Sequence, residues 1–167
     1  MARTSFKGNP VETEGDLPKI GSQAPDFKLT NTDLSDVVVG DYLGRRIVMN
    51  IFPSIDTPVC ANSVRRFNKE ASEGSDTVVL CISADLPFAH QRFCEVEGLK
   101  NVIPLSVFRN PEFGRDYGLT IAGGALVGLL ARAVIILDDA GKIGYCQLVQ
   151  DIAQEPDYET AIQYLAP

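Results

Sequence analysis

The sequence predicts an α/β fold, and three observations lead to this prediction. Short runs rich in β-branched residues alternate with segments that have the spacing and the boundary residues of helices. The last two runs are joined by Asp138 to Gly141 (DDAG), a sequence typical of a tight hairpin turn. The length of 167 residues, 45% of them hydrophobic, suits one domain over residues 1–167 with a sizeable buried core.

The N-terminal part of the chain is predicted to consist of β-structure. Thr4 to Glu14 should form a hairpin that turns around Gly8 to Pro10. Asp26 to Thr30 alternates polar and apolar residues in the way that a half-buried strand does. Ser35 to Val39 is a further candidate strand, so the chain should begin with a hairpin and two short strands.

A strand followed by a well-marked helix comes next. Ile47 to Phe52 is rich in β-forming residues and should end at Pro53, because proline has no N–H to donate to a sheet. Thr57 is a good N-cap, and Pro58 suits the first helical position, where its missing N–H is no loss. Gly74 is the expected end of this helix.

A second strand and helix repeat this order. Thr77 to Ser83 (TVVLCIS) is an almost unbroken apolar run, which predicts a central strand that is buried on both faces. Asp85 and Pro87 should open a helix that runs to about Glu97 and ends at Gly98.

The last part of the chain completes the predicted fold. Its expected elements are a strand at Val102–Leu105, a short helix at Pro111–Tyr117, strands at Ala133–Leu137 and Ile143–Val149, and a closing helix at Pro156–Leu165 with Asp157 in its first turn. This order fits a thioredoxin-like fold, with a mixed central sheet flanked by helices and an N-terminal β-hairpin.

Charge and hydropathy exclude several classes of partner. A net charge of −7 disfavours binding to nucleic acid or to an anionic membrane surface. The chain has no apolar stretch near the roughly 20 residues that a membrane span needs, and its first residues contain no signal-peptide core. We therefore expect a cytoplasmic protein, whose cysteines are kept reduced and serve buried, catalytic or metal-binding roles.

Cys60 falls in the first turn of the first predicted helix. Free backbone N–H groups and the positive end of the helix dipole favour an anion there. Because the thiolate is the reactive form of cysteine, this position suggests a nucleophile. Cysteine is also among the most buried residue types, so inert packing in the core is an equal alternative for this feature taken alone.

The residues around Cys60 carry a resemblance. Pro53 to Cys60 (PSIDTPVC) fits the pattern Pro-x-x-x-Thr-x-x-Cys directly after an apolar strand, and this resembles the active-site signature of the peroxiredoxins. The strings FPSIDTPVCANSVRRFN, ISADLPFAHQRFC and GLLARAVIILD resemble one subgroup, the bacterial thiol peroxidases of the atypical two-cysteine type. The likeness extends to EPDYE near the end of the chain.

The resemblance implies an enzyme that reduces hydrogen peroxide and organic hydroperoxides to water and alcohols. Cys60 would attack the hydroperoxide and become a sulfenic acid. Thr57 would turn its hydroxyl toward the sulfur, and Pro53 would shield the thiolate from water. Arg132 would hold its guanidinium near the sulfur and favour the thiolate, although an arginine at the start of a strand is more often solvated.

The resemblance also makes Cys94 the resolving cysteine, which forms an intramolecular disulfide with Cys60 that thioredoxin then reduces. It implies a homodimer as well. A disulfide needs Cα atoms within about 7 Å, which two cysteines on separate helices rarely reach. We therefore expect the Cys94 helix to unwind partly during turnover, with Gly98 as a hinge.

The remaining candidate residues are assigned no chemistry. Cys81 is predicted to be a core residue, Cys146 to be structural or spare, and His90 to be a solvated surface residue. With one histidine and no CxxC pair, neither a metal site nor another cofactor is expected. The glycine-rich stretch before Arg132 lacks the spacing of a phosphate loop and is interpreted as a flexible loop that delivers this arginine.

Two alternatives to a peroxidase remain open. A thioredoxin-like disulfide carrier would suit the fold, but such proteins normally use CxxC, and Cys60 is followed by Ala-Asn-Ser. A non-enzymatic peroxide sensor would share the first chemical step with an enzyme, so the sequence does not separate the two.

Overall fold

A mixed seven-stranded sheet forms the centre of the computed structural model, which describes residues 1–71 and 76–166. The elements follow one another in the order β1 (Arg3–Phe6), β2 (Asn9–Glu12), β3 (Lys28–Thr30), β4 (Asp36–Val38), β5 (Arg46–Ile51), α1 (Pro58–Ala71), β6 (Thr77–Ser83), α2 (Pro87–Glu97), β7 (Val102–Ser106), α3 (Glu112–Asp116), β8 (Ala133–Leu137), β9 (Ile143–Leu148) and α4 (Tyr158–Leu165).

The strands of the large sheet lie in the order β4-β3-β7-β6-β5-β8-β9. The three central strands β7, β6 and β5 are parallel, because α1 and α2 cross between them. The outer strands are antiparallel to their neighbours, and β1 and β2 form a separate hairpin. The predicted thioredoxin-like fold, with its mixed sheet and N-terminal hairpin, is therefore confirmed.

The N-terminal strands differ from the prediction in their bounds. The hairpin turns at Lys7 and Gly8, whose φ angles of 50° and 81° are both positive, so that Pro10 lies within β2. A proline is tolerated there because β2 is the edge of a two-stranded sheet. The strand predicted from Asp26 is shorter and begins at Lys28. Burial alternates with exposure as expected up to Leu29, whereas Thr30 is buried as well.

Helix α1 begins as the sequence predicts. The Thr57 hydroxyl accepts the backbone N–H of Cys60 at 3.3 Å, as an N-cap does, and Pro58 is the first helical residue. Val64 and Phe67 face the core. The end predicted at Gly74 lies outside the described residues.

Two helix starts differ from the prediction. Leu86, with no side-chain hydrogen bond, is the N-cap of α2, whereas the Asp85 carboxylate is turned away to the residues before α1. The N-cap of α4 is Asp157, which accepts the N–H of Thr160 instead of lying within the first turn. Gly98 ends α2 in the left-handed conformation, with a φ of 66°, as expected.

Buried apolar residues cover both faces of the sheet. Ile47, Met49 and Ile51 of β5 belong to one cluster, whereas Val48 belongs to a second cluster on the opposite face, as the two-residue period of a strand requires. The second cluster lies beneath α1 and includes Cys60. Among the helices of the described residues, none is long and apolar enough to cross a membrane.

Candidate active site

The Cys60 side chain lies where β5 ends and α1 begins. It has 0% relative exposure and packs in the second core cluster with Phe52 and Val64. Pro53, which ends the strand, is also buried. The position in the first turn of α1 is the one predicted from the sequence, and its burial excludes bulk water from the sulfur.

Arg132 is the charged group that contacts this sulfur. Its Nη2 donates to the Cys60 Sγ at 3.1 Å, and its Nε donates to the carbonyl of Ile152 at 2.9 Å. The side chain is only 2% exposed, and its Nη1 has no hydrogen-bond partner. A buried positive charge is costly unless it is paired, and the Cys60 sulfur is the partner of Nη2 in this arrangement.

The sheet register explains how two residues so distant in sequence meet. Strand β8 is antiparallel to β5, and Ala133 lies opposite Ile51. Arg132 therefore lies beside the end of β5, where the chain turns toward Cys60. The stretch before Arg132, expected to be a flexible loop, is held by backbone hydrogen bonds between Ile121 and residues 128 and 129.

The Thr57 hydroxyl is engaged with the backbone. It accepts the N–H of Cys60 and is placed to donate to the carbonyl of Ser54 at 3.2 Å. The structure thus places Thr57 next to Cys60 as the helix cap. A contact with the sulfur or with a bound peroxide would require the hydroxyl proton to leave the Ser54 carbonyl.

Cys94 lies near the C-terminal end of α2 and is a free thiol, as is Cys60. It packs against the second core cluster and lines an open pocket of about 510 Å³ together with Gln91, Leu99 and Ile103. Burial raises the pKa of the Cys94 thiol above its ordinary value. Burial thus disfavours the thiolate of Cys94 in the folded helix.

The other two cysteines are placed as the sequence predicts. Cys81 is buried in β6, and this burial raises the pKa of its thiol strongly. Cys146 is half-buried in β9, and burial raises its pKa to about 11. Neither thiol is in a setting that favours the reactive thiolate.

The prediction for His90 is wrong. The ring is 1% exposed, lies edge-on to Phe52, and has its Nε2 at 3.0 Å from the Ser83 hydroxyl. The reason is that the first turn of α2 packs over the carboxyl end of β6, a contact that the helical pattern alone does not indicate.

Sequence reasoning also missed Asp85, whose carboxylate binds the residues just before Thr57. A signal was available, because Ser83 and Asp85 follow a buried parallel strand at its carboxyl end. Side chains at that edge of such a sheet often meet. Nothing in the sequence indicates that the Ile152 carbonyl accepts from Arg132, because every residue has a backbone carbonyl.

Comparisons with known proteins agree with this architecture. Residues 19–162 match the family model described as Redoxin. A thiol peroxidase of Corynebacterium glutamicum is 52% identical, and one of Mycobacterium tuberculosis is 50% identical, each over 99% of both chains.

Solved structures are similar too. A peroxiredoxin-like protein from Aquifex aeolicus superposes with a TM-score of 0.93 at 39% identity, covering 98% of this chain and 95% of that chain. A thiol peroxidase from Chromobacterium violaceum has a TM-score of 0.90 over 98% and 94% of the two chains, and at 21% identity it shows the likeness of fold alone.

Proposed function

The chain belongs to the redoxin family, and from this premise we propose that Cys60 and Cys94 carry its reaction with peroxides. It is a peroxiredoxin-type thiol peroxidase, as its full-length relatives at 52% and 50% identity are. The disulfide-carrier and sensor alternatives are not favoured by these relatives. The observation that supports Cys60 as the attacking residue is the 3.1 Å contact between the Arg132 guanidinium and its sulfur.

In the first step, the Cys60 thiolate attacks the terminal oxygen of a hydroperoxide. An S–O bond forms while the O–O bond breaks, and the departing oxygen takes up a proton to become water or an alcohol. Arg132 Nη2 stabilises the thiolate, and the unpartnered Nη1 is free to donate to a peroxide oxygen. Pro53 keeps water from the sulfur, and Thr57 holds the start of the helix that presents it.

In the second step, the Cys94 thiol gives up its proton and the thiolate attacks the sulfenic sulfur of Cys60. An S–S bond forms, the S–O bond breaks, and the departing hydroxide takes up a proton to become water. Burial raises the pKa of Cys94 and disfavours its thiolate while α2 is folded. We therefore propose that α2 unwinds from its Gly98 end before Cys94 reacts. Unwinding exposes the thiol and removes the packing of Cys94 against the core.

The last step returns the enzyme to its dithiol form with two electrons from an external thiol pair. We propose thioredoxin as this donor, in a cytoplasmic setting where thiols are kept reduced. We also propose a homodimer, with exposed Leu86, Phe88 and Phe108 as the apolar part of its interface. Peroxide consumption coupled to a thioredoxin system and sedimentation of the reduced protein test the donor and the dimer.

The deciding experiment is to reduce the protein, add one equivalent of hydrogen peroxide and map the products by mass spectrometry. We expect a Cys60–Cys94 disulfide within seconds. Cys60→Ser should abolish peroxide consumption, whereas Cys94→Ser should complete one turnover and retain a sulfenic acid at Cys60. Oxidation confined to Cys146 would contradict the assignment.

A further inference from the structure

A polar network lies at the carboxyl end of β6, between the turn before α1 and the first turn of α2. The Asp85 carboxylate is its centre: Oδ1 accepts from the Ser54 hydroxyl at 2.8 Å, and Oδ2 accepts from the Ile55 N–H at 2.7 Å. Oδ2 also accepts from the Ser83 hydroxyl at 2.5 Å. His90 of α2 places its Nε2 at 3.0 Å from the same Ser83 oxygen.

The proton positions in this network follow from its geometry. The single hydroxyl proton of Ser83 is directed to the Asp85 carboxylate, and the Ser83 oxygen accepts the Asp85 N–H at 3.1 Å. His90 must therefore donate from Nε2. Burial lowers the pKa of His90, which keeps the ring neutral with this one proton to give. The Ser83 hydroxyl thus links β6 to Asp85 and to α2, and its one donor and two acceptor positions are all used.

Each end of the network leads to one of the two cysteines. Ser54 donates its hydroxyl to Asp85, and its carbonyl accepts from the Thr57 hydroxyl. The Thr57 hydroxyl in turn accepts the N–H of Cys60. At the other end, His90 precedes Cys94 by one turn of α2. A continuous series of hydrogen bonds thus connects the turn that presents Cys60 with the helix that carries Cys94.

We propose that Asp85, Ser83 and His90 form a latch that holds the turn before Cys60 in place and keeps α2 folded. The latch sets the balance between reaction with peroxide and formation of the disulfide. All three are positioning residues, because none of them contacts the reacting sulfur. The inference rests on the proposed function, since it concerns the same two cysteines.

The α2 side of the latch is tested by a pair of variants at one position. His90→Gln retains an amide that can donate to Ser83, whereas His90→Leu has a similar size and no donor. One net hydrogen bond corresponds to roughly a fivefold change in an equilibrium. If α2 must open before Cys94 reacts, His90→Leu should form the disulfide about fivefold faster than His90→Gln. Both should form the sulfenic acid at the parent rate.

The Cys60 side of the latch is tested by Asp85→Asn, which replaces one acceptor oxygen with a donor. Either the Ser54 hydroxyl loses the acceptor of its proton, or the Ile55 N–H and the Ser83 hydroxyl lose theirs. We expect sulfenic acid formation to slow by about tenfold, the lower end of the loss expected for a hydrogen bond to a charged group. Ser54→Ala, which removes one donor and retains the carboxylate, should slow it in the same direction and serves if Asp85→Asn does not fold.

The measurement is rapid-quench mass spectrometry, which gives separate rate constants for the sulfenic acid and for the disulfide. Gln91→Ala is the matched control on α2, because it removes only an exposed bond to Glu95. A merely structural network would slow both steps together as thermal stability falls. Equal disulfide rates in His90→Leu and His90→Gln, or an unchanged first step in both Asp85→Asn and Ser54→Ala, would overturn the latch.

If the parent protein forms no Cys60–Cys94 disulfide, the proposed function fails, but the latch can still be tested. Hydrogen exchange of the α2 amides then tests the latch on its own. Roughly fivefold faster exchange in His90→Leu than in His90→Gln supports it. Equal exchange in the two variants overturns it.

Discussion

Replacing Arg132 by methionine should strongly slow the reaction of Cys60 with peroxide. Methionine is nearly as long and fits an apolar site, but it removes the 3.1 Å contact to the sulfur and the bond to Ile152. A hydrogen bond to a charged group contributes about 1.5–3 kcal/mol, and each 1.36 kcal/mol is tenfold in rate. We therefore expect sulfenic acid formation to slow by about 10- to 150-fold.

The thermal stability of Arg132→Met should change much less than its rate of sulfenic acid formation. The Arg132 side chain is 2% exposed with one unpartnered nitrogen, so its removal takes an incompletely paired charge out of the core. The melting temperature of Arg132→Met should therefore stay near that of the parent. The rate is measured by competition for peroxide under single-turnover conditions, with Arg3→Met, which removes an exposed pair with Glu12, as control. A rate within threefold of the parent would refute the role of Arg132.

Three further predictions concern the helix cap, acid stability and one glycine. Thr57→Val should lower the free energy of unfolding by about 1 kcal/mol and slow peroxide consumption, with Thr57→Ser close to the parent; retained stability in the valine variant would contradict the cap. Burial lowers the pKa of His90, and the nearby carboxylates of Asp85 and Asp56 only partly offset this effect. As the pH falls, the unfolded chain therefore binds a proton at His90 before the folded protein does. Stability should therefore fall as the pH drops below about 6.5, and denaturant titrations should show a smaller fall in His90→Gln. Gly118→Ala should lower the free energy of unfolding by about 2–4 kcal/mol, because a Cβ there would lie 2.2 Å from the Asp16 backbone. Gly124 also has a positive φ but faces open space, so Gly124→Ala should lower it by only about 1 kcal/mol. Similar melting temperatures for the two alanine variants would show that the close approach is not the cause.

The parts of the fold with a strong local signal could be predicted from the sequence. β6 has the predicted bounds, because its apolar run suits only a strand buried on both faces. The start of α1 was marked by Thr57 and Pro58, which act through their own backbone and side-chain chemistry. Short edge strands such as β3 have few apolar residues, so their bounds depend on pairing with neighbours and were less well predicted.

The site was predictable where its residues are close in sequence. Pro53, Thr57 and Cys60 lie close together in the sequence, between the end of β5 and the first turn of α1, so a local pattern is enough to group them. Arg132 was found through the family resemblance, since its position depends on the pairing of Ala133 with Ile51. His90 was misplaced because burial of a helical turn depends on what packs against it, and a single histidine has no periodicity.

The burial of Cys60 and the burial of Arg132 depend on each other. Cys60 has 0% exposure and Arg132 has 2%, so neither side chain keeps much contact with water. The guanidinium alone would be strongly destabilising in the core, and the 3.1 Å contact to the sulfur gives one of its nitrogens a partner. In the proposed reaction the Cys60 thiolate becomes a neutral sulfenic acid, while Arg132 retains its positive charge. The oxidised site would then hold an uncompensated charge, and this would favour the release of local packing that we propose for α2.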